Sequence, residues 1–492
     1  MTLTLDKHSI LKQKFGFDSF RGKQAEAIDS VMSGRDTVLI MPTSGGKSLV
    51  MQIPALMLDG VTIIVSPLIA LMKDQVDALQ AKGLPATFIN SSLSQADYNE
   101  RMDMIRAGEY KMVYVAPERF SNDVFMEQMA AVKVSLLASD EMHCVSQFGH
   151  NFRPDYLKIG TASKKLGRPI MLGLTATATP DVRRDCIKQL DMRDPQIFVD
   201  GFERPNLSLF VESVAGKEMK LYKILQEIKK NRTGIVYCST RKNVEIVSER
   251  LKTNGIKHVG YHGGMKDDDR TAIQNKFMRG EAPVVVATNA FGMGIDRADL
   301  RFVIHYDIPG SVEAYYQEAG RAGRDGMPSN CTLIYDASSV RTQMFFVEGQ
   351  NPTRDIVQSV YWTLQKLCQN GPINKPVSGE YRGIADDVKD VHNPLAVGGA
   401  LTILAKHGAI RRWFAKGSRA YWTDIVNPIR EIDDLGINFG ALHAKYLQDT
   451  QRLNEVKSYA EQWRQCRQGF ILDYFGEEFR KCGRCDICKG KA

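Results

Sequence analysis

Two tandem α/β domains, each built on a parallel sheet, are predicted for this 492-residue chain by three observations. Short β-branched runs alternate with helical stretches from Asp36 onward, the runs are apolar on both faces, and the alternation occurs twice with turn signals in between. Runs of that kind are parallel strands covered by helices on both sides. A chain this long also exceeds what one hydrophobic core organises, which calls for several domains.

The first series of strands is "DTVLIMP", "VTIIVSP", "KMVYVAP", "VSLLASDE" and "PIMLGLTAT"; the second is "TGIVYCST", "HVGYHGG", "APVVVATN", "FVIHYDIP" and "CTLIYD". Between them "DGFERPNL" carries turn signals, which places a boundary near Gly201 to Asn206. From Asn351 the pattern changes to helices and then to "AIRRWFAKGSRAYWTDI", two strand-like halves around a Lys-Gly-Ser turn. After Asp433, "ALHAKYLQDTQRLNEVKSYAEQWRQC" reads as one or two long helices ending at a cysteine cluster. The expected domains are therefore 1–201, 202–348, 349–432 and 433–492.

With 43% hydrophobic and 25% charged residues, the composition is that of an ordinary globular protein and excludes a disordered one. The opening "MTLTLDKHSILKQKFGF" lacks the basic and apolar regions of a secretory signal, and no apolar run reaches a membrane span, so a soluble intracellular protein is expected. A net charge of +8 permits a polyanionic partner without demanding one. Of nine cysteines, Cys144, Cys186, Cys238, Cys331 and Cys368 are scattered, while Cys466, Cys482, Cys485 and Cys488 cluster as C-x15-C-x2-C-x2-C. Two closely spaced thiolate pairs can complete a tetrahedral Zn²⁺ site; a redox dithiol is the other reading of a C-x2-C pair.

The stretch "IMPTSGGKSLV" follows the first strand and precedes a helix. Thr43, Ser44, Gly45 and Gly46 can wrap a phosphate, Lys47 supplies positive charge, and the Ser48 hydroxyl can ligate Mg²⁺. A strict P-loop has glycine where Met41 stands, and a plain glycine turn before a helix would carry similar residues. "LLASDEMH" ends a strand with Asp140 and Glu141, placed to hold Mg²⁺ through water and to polarise an attacking water. "AYYQEAGRAGRDG" offers Gln317, Arg321 and Arg324, of which an arginine can reach a γ-phosphate across the cleft; a surface turn with salt bridges is the alternative.

Taken in order, these motifs resemble superfamily 2 helicases and, within them, the RecQ family. The resemblance runs from Leu11 to about Tyr335 and resumes at the terminal cysteines. It rests on Leu11, Phe15, Gly16, Phe20, Arg21 and Gln24, and on "VSPLIALMKDQV", "YVAPER", "LTATAT", "YCSTRKNVE", "VVATNAFGMGIDRADLRFVIHYDIP" and "YYQEAGRAGRDG". It implies two RecA-like domains, an adenine site in which Gln24 pairs with the base edge between Phe17 and Arg21, and an aromatic-rich DNA-sensing loop carrying Phe148, His150, Phe152 and Arg153. Aromatic faces stack on unpaired bases of any sequence, and arginine adds phosphate or cation–π contact. His262 and Thr288 lie in segments resembling the family's DNA-facing motifs. The chain departs from the family at Phe148 (usually tryptophan), Asn151 (aspartate), Met142 (alanine) and Ser44 (glycine).

The resemblance further implies an ATP- and Mg²⁺-dependent DNA helicase of 3′-to-5′ polarity, with single-stranded and forked DNA as partners and single-strand-binding protein as a further one. A monomer with no membrane attachment is implied, cytoplasmic and nucleoid-associated in a bacterium. The terminal cysteines and the "YFGE" before them resemble the family's zinc subdomain. In typical members that subdomain follows the core directly and a winged helix comes after it. Here the order is reversed: "NPLAVGGALTILAKHGAIRRWFAKGSRAYWTDI" is expected to be a winged helix before the zinc, with Arg411 and Arg412, and Lys416 and Arg419 beside them, facing duplex phosphates. A helical spacer with a structural hairpin is the other reading. An RNA helicase, and a DNA-annealing or architectural protein with weak ATPase, are the rival functions.

Overall fold

The computed structural model describes residues 6–42, 45–149, 151–292, 295, 297–378, 383–415, 420–429, 431–479 and 481–490. The chain divides into two compact units, one of Met1–Asp307, Ser311–Tyr335 and Tyr459–Ala492, the other of Ile308–Gly310 and Asp336–Ser458. Among the described residues no helix is long and apolar enough to cross a membrane.

The first unit holds two parallel sheets. In the first, β1 (Thr37–Ile40), β2 (Val61–Val65), β3 (Ala86–Ile89), β4 (Met112–Val115), β5 (Val134–Ser139), β6 (Ile170–Thr175) and β7 (Gln196–Val199) lie in the order β3-β4-β2-β5-β6-β1-β7. Every residue of β1, β2 and β4 is buried, as two-faced apolar strands require. Leu39, Ile64, Tyr114, Leu136 and Leu172 join Ile28, Val50 and Ile53 from the helices in one core. Because β6 alone separates β1 from β5, the loops leaving the carboxyl ends of β1 and β5 meet across the end of β6.

The second sheet comprises β8 (Leu207–Ser213), β9 (Gly234–Tyr237), β10 (His258–Tyr261), β11 (Val284–Ala287), β12 (Phe302–His305) and β13 (Ser329–Tyr335), in the order β10-β11-β9-β12-β13-β8. Strand β8 is an edge, and an edge presents peptide groups that need cover. The C-terminal segment supplies it. Asp486 accepts from the Val211 amide at 3.0 Å and donates its own amide to Leu209 O at 3.3 Å, while Arg484 Nε donates to Leu207 O at 2.9 Å. Behind these contacts the Arg467 guanidinium and the Asp486 carboxylate form a buried ion pair at 3.0 Å, and the Phe475 ring stacks on Phe202 with centroids 4.2 Å apart.

In the second unit a three-stranded antiparallel sheet, ordered β14 (Ile373–Asn374), β16 (Trp422–Ile425) and β15 (Ile410–Trp413), accompanies the helices Arg354–Leu367 and Pro394–Lys406. Val357, Val360, Tyr361, Val397, Leu401 and Ile410 share its core. The long helix Phe439–Glu461 is a single element where the sequence allowed one or two, and the short helix Arg467–Tyr474 follows it.

Breaking the Arg467–Asp486 pair strands a buried guanidinium, so Asp486→Ala is expected to lower the local opening free energy of residues 459–490 by about 3–5 kcal/mol. Amide hydrogen exchange measures this, and unchanged protection there would refute it.

Candidate functional site

Strand β1 delivers the chain to Gly45, Gly46 and Lys47, and the helix Ser48–Met57 begins immediately after. Gly46 takes a positive φ of 80°, and a Cβ at Gly45 would fall 2.3 Å from Met41 Cγ, so the glycine requirement of this loop is set partly by the methionine packed behind it. The Lys47 ammonium is buried and has no hydrogen-bond acceptor among the described residues; its nearest counter-charge is Glu141 Oε1 at 3.9 Å. A buried ammonium without an acceptor fits an anionic ligand such as a phosphate. Thr43 and Ser44 lie outside the described residues.

Asp140 and Glu141 leave the carboxyl end of β5, and burial first, then the charge of Glu141, pushes the Asp140 carboxyl up to about 6 against the opposing effect of Lys47. Glu141 has φ 48°, a left-handed conformation that a residue with a side chain holds only when its surroundings fix it. Here the Glu141 amide donates to Asp140 Oδ1 at 3.0 Å, and His143 Nδ1 lies 3.3 Å from Glu141 Oε2 and 2.9 Å from Thr175 Oγ1 at the end of β6. The acidic pair is thereby joined to the next motif, "LTATAT", through one imidazole.

The N-terminal segment closes on the same loop. Gln24 is buried; its amide donates to Gly45 O at 2.9 Å and Gly46 O at 3.0 Å, and its carbonyl accepts from the Arg21 amide. Phe17 and Arg21 are exposed beside it. Beyond the carboxylates, Phe148 is exposed, Phe152 and Arg153 are half-buried, and His150 lies outside the described residues. The Arg153 guanidinium donates to Pro67 O at 2.6 Å, so this loop holds the segment "VSPL" after β2. Met142 is fully buried, and its sulfur sits 2.5 Å from where a Cβ on Gly173 would be: glycine in β6 makes room for methionine at the family's alanine position.

On the second sheet, His262 follows β10 and Thr288 follows β11, whose amide donates to Tyr261 O at 3.1 Å, so both stand at neighbouring carboxyl ends. Gln317 is half-buried on the helix Val312–Ala319. Arg321, in the turn that follows, is buried beside Tyr237, and its Nε has no hydrogen-bond partner among the described residues. Arg324 is partly exposed in the same turn. The carbonyls of this turn are held by two residues that the sequence reading treated only as boundary: Arg204 donates to Gly320 O at 3.0 Å and Ala322 O at 3.1 Å, and Asn206 to Gly323 O at 2.7 Å. The only sequence signal was an arginine and an asparagine around Pro205; their partners lie far along the chain.

In the second unit Arg411 and Arg412 sit on β15, stacked over Trp413 at 4.8 Å and Tyr421 at 5.0 Å. Arg411 also lies 4.0 Å from Asp424. Lys416 and Arg419 fall outside the described residues.

The sulfurs of Cys466, Cys482, Cys485 and Cys488 all lie within 4.8 Å of one another, with Cys482–Cys488 and Cys485–Cys466 both 4.0 Å apart. Thiolates about 2.3 Å from a zinc ion span edges of roughly 3.8 Å, so the set fits tetrahedral Zn²⁺. The amides of Cys482, Arg484 and Cys488 point at the sulfurs of Cys466, Cys482 and Cys485, at 3.3, 3.5 and 3.4 Å, as donors that stabilise thiolates. One zinc per chain is expected by metal analysis of protein purified without chelator, and Cys485→Ser is expected to lose it and expose residues 459–490 to protease. A metal-free chain with the same protease resistance would rule the site out.

Residues 21–185 match the family described as DEAD/DEAH box helicase, 216–326 the helicase conserved C-terminal domain, and 437–489 the RecQ zinc-binding family. The chain is 45% identical over 342 residues to the ATP-dependent DNA helicase RecQ of Bacillus subtilis, covering 69% of this chain and 58% of that one. It is 40% identical over 359 residues to the probable ATP-dependent DNA helicase RecS of the same organism, covering 72% of each. The chain spans about three fifths of the length of several RecQ relatives that it matches. Among solved structures, the DUF1998 helicase MrfA bound to DNA superposes with a TM-score of 0.57 at 18% identity, over 87% of this chain and 60% of that one, a likeness of fold. Two helicase domains, the cysteine module that ends the match, and sequence identity sustained over most of a curated relative together place the chain in the RecQ family of helicases.

Proposed function

We propose that this protein is an ATP-dependent DNA helicase of RecQ type that tracks 3′ to 5′ on single-stranded DNA and opens forked duplexes. The observation that carries the reading is the buried Lys47 ammonium facing Glu141 and Asp140 at the ends of β1 and β5, with the aromatic loop attached directly behind the carboxylates.

In this reading Lys47 and the Gly45–Gly46 amides hold the ATP phosphates, and Phe17 and Arg21 flank the adenine. Gln24, already bonded to the loop carbonyls, links recognition of the base to the shape of the phosphate loop. Ser48 and Asp140 would hold Mg²⁺, which neutralises phosphate charge when bound. Glu141 orients the attacking water and accepts its proton, while Gln317, Arg321 and Arg324 meet the γ-phosphate from the second sheet. DNA stacked on Phe148 and Phe152 moves a loop whose Arg153 grips Pro67 and whose root is the Glu141–His143–Thr175 array. That array is the physical route from DNA to hydrolysis.

The second unit supports a winged helix: a helix, a short strand, a second helix and an antiparallel pair, with Arg411 and Arg412 on the wing available to duplex phosphates. The wing strands carry stacked Trp413 and Trp422, with Arg411 over Trp413 and Arg412 over Tyr421.

Strand displacement on a panel of forks and tailed duplexes tests the activity, with ATPase stimulation by DNA and by RNA of one sequence compared in parallel. Lys47→Ala is expected to abolish turnover, and Glu141→Gln to keep nucleotide binding while slowing hydrolysis by roughly 10²- to 10⁴-fold. Near-normal turnover in either variant overturns the assignment.

The pH dependence follows from Asp140. Its carboxyl, raised to about 6, takes up a proton as pH falls through that value, and a neutral carboxyl no longer ligates a cation. After allowance for the titration of ATP itself, kcat/KM is expected to be flat above that point and to fall about tenfold per pH unit below it, an apparent value belonging to the Asp140–Glu141 pair. A profile flat down to about pH 5 would contradict this.

A further inference from the structure

The turn 320–323 follows the helix Val312–Ala319, and its amides take the helix's last carbonyls: Gly320 donates to Tyr316 O at 2.9 Å, Arg321 to Glu318 O at 3.2 Å and Ala322 to Ala319 O at 3.1 Å. The carbonyls of the turn itself are then left needing a donor. Arg204 supplies it from a segment 116 residues earlier. Its guanidinium is buried, and it donates to Gly320 O at 3.0 Å, Ala322 O at 3.1 Å and Gly323 O at 3.4 Å. Gly320 O and Ala322 O are the carbonyls on either side of Arg321. Asn206 holds the next peptide, donating to Gly323 O at 2.7 Å and to Met327 O at 3.0 Å; a Cβ on Gly323 would fall 2.4 Å from the Asn206 amide nitrogen, which is why glycine precedes Arg324.

The anchors are themselves fixed. Tyr316 donates its hydroxyl to Phe202 O at 3.0 Å, Glu477 accepts from the Phe202 amide at 2.9 Å, and Arg484 donates to Arg204 O at 3.1 Å. The segment carrying Arg204 and Asn206 is therefore held by the helix before the turn and by the cysteine module, and any slack in it is transmitted to Arg321 and Arg324.

We propose that Arg204 and Asn206 are positioning residues for ATP hydrolysis, aligning Arg321 and Arg324 by gripping the carbonyls beside them, without touching substrate. This rests on the reading of Arg321 and Arg324 as γ-phosphate ligands. Binding of nucleotide is assigned to the first sheet, so loss of alignment should appear in kcat and leave KM alone; a displacement of about 1 Å costs on the order of a hundredfold.

The test is steady-state ATPase with saturating single-stranded DNA on full-length wild type, Arg204→Lys, Asn206→Ala, Arg321→Ala, Arg324→Ala and the doubles Arg204→Lys/Arg321→Ala and Asn206→Ala/Arg324→Ala, with thermal unfolding of each. Arg204→Lys keeps a cation but cannot present the planar fork. Asn206→Ala, at a half-buried position, keeps the test open should Arg204 variants not fold. The expected result is a kcat lower by roughly tenfold to a hundredfold in both anchor variants, unchanged KM for ATP, and no further loss when an anchor variant is added to its partner arginine variant. Normal kcat in both anchor variants, or losses that multiply in the doubles, overturns the proposal while leaving Arg321 and Arg324 as phosphate ligands. Wild-type turnover in both Arg321→Ala and Arg324→Ala overturns that assignment, and this proposal with it.

Discussion

A buried peptide group must find a partner, and in the segment between the two sheets those partners are drawn from nearly the whole chain. Asp200 accepts from the Lys23 amide at 2.8 Å, in the N-terminal segment that Gln24 ties to Gly45 and Gly46, and its own amide donates to Ile40 O at the end of β1. Phe202 is bonded at both its amide and its carbonyl, by Glu477 and Tyr316. Asn206 O accepts from the Ser329 amide at the start of β13. A connection that could have been a loose tether is instead the place where the loop after β1, the arginine turn and the cysteine module are referred to one another.

Of the strands in the two parallel sheets, every interior one and one edge, β10, were read from the sequence, and the ones missed were β3, β7 and β8. All three are sheet edges. An edge strand has one neighbour, so fewer of its side chains need to be apolar: β7 exposes Gln196 and Ile197, and β8 leaves Ser208, Phe210 and Val211 half-buried. The motif residues were legible because each cluster is contiguous, so that spacing alone reports which side chains share a loop. Arg204 and Asn206 were not, because what they do is defined by carbonyls more than a hundred residues away, and a carbonyl leaves no trace in a sequence. The arrangement Glu141–His143–Thr175 was likewise hidden until strand order put β6 beside β5.

Two departures from the family pattern have the same physical form. Met41 stands where a strict phosphate loop has glycine, and its side chain occupies the space a Cβ on Gly45 would need; Met142 stands where the family has alanine, and its sulfur occupies the space beside Gly173. In a close-packed interior an added side chain must be matched by a missing one nearby. Each methionine is matched by a glycine. A departure at a motif position is thus a question about the packing behind it as much as about the motif.

The cover on strand β8 has a consequence in time. Leu207 O, Leu209 O and the Val211 amide are satisfied by Arg484 and Asp486, which follow the linker by some 280 residues. Strand β8 enters the sheet only when its partner β13 (Ser329–Tyr335) has been made, and at a synthesis rate of about 5–20 residues per second the nascent chain then waits roughly 7 to 30 s before Arg484 and Asp486 follow. Through that interval the second sheet carries an open strand, the surface on which chains pair wrongly with one another. The cysteine module is thus what turns this edge from an open strand into a covered one, and until it has folded onto the sheet the edge remains adhesive.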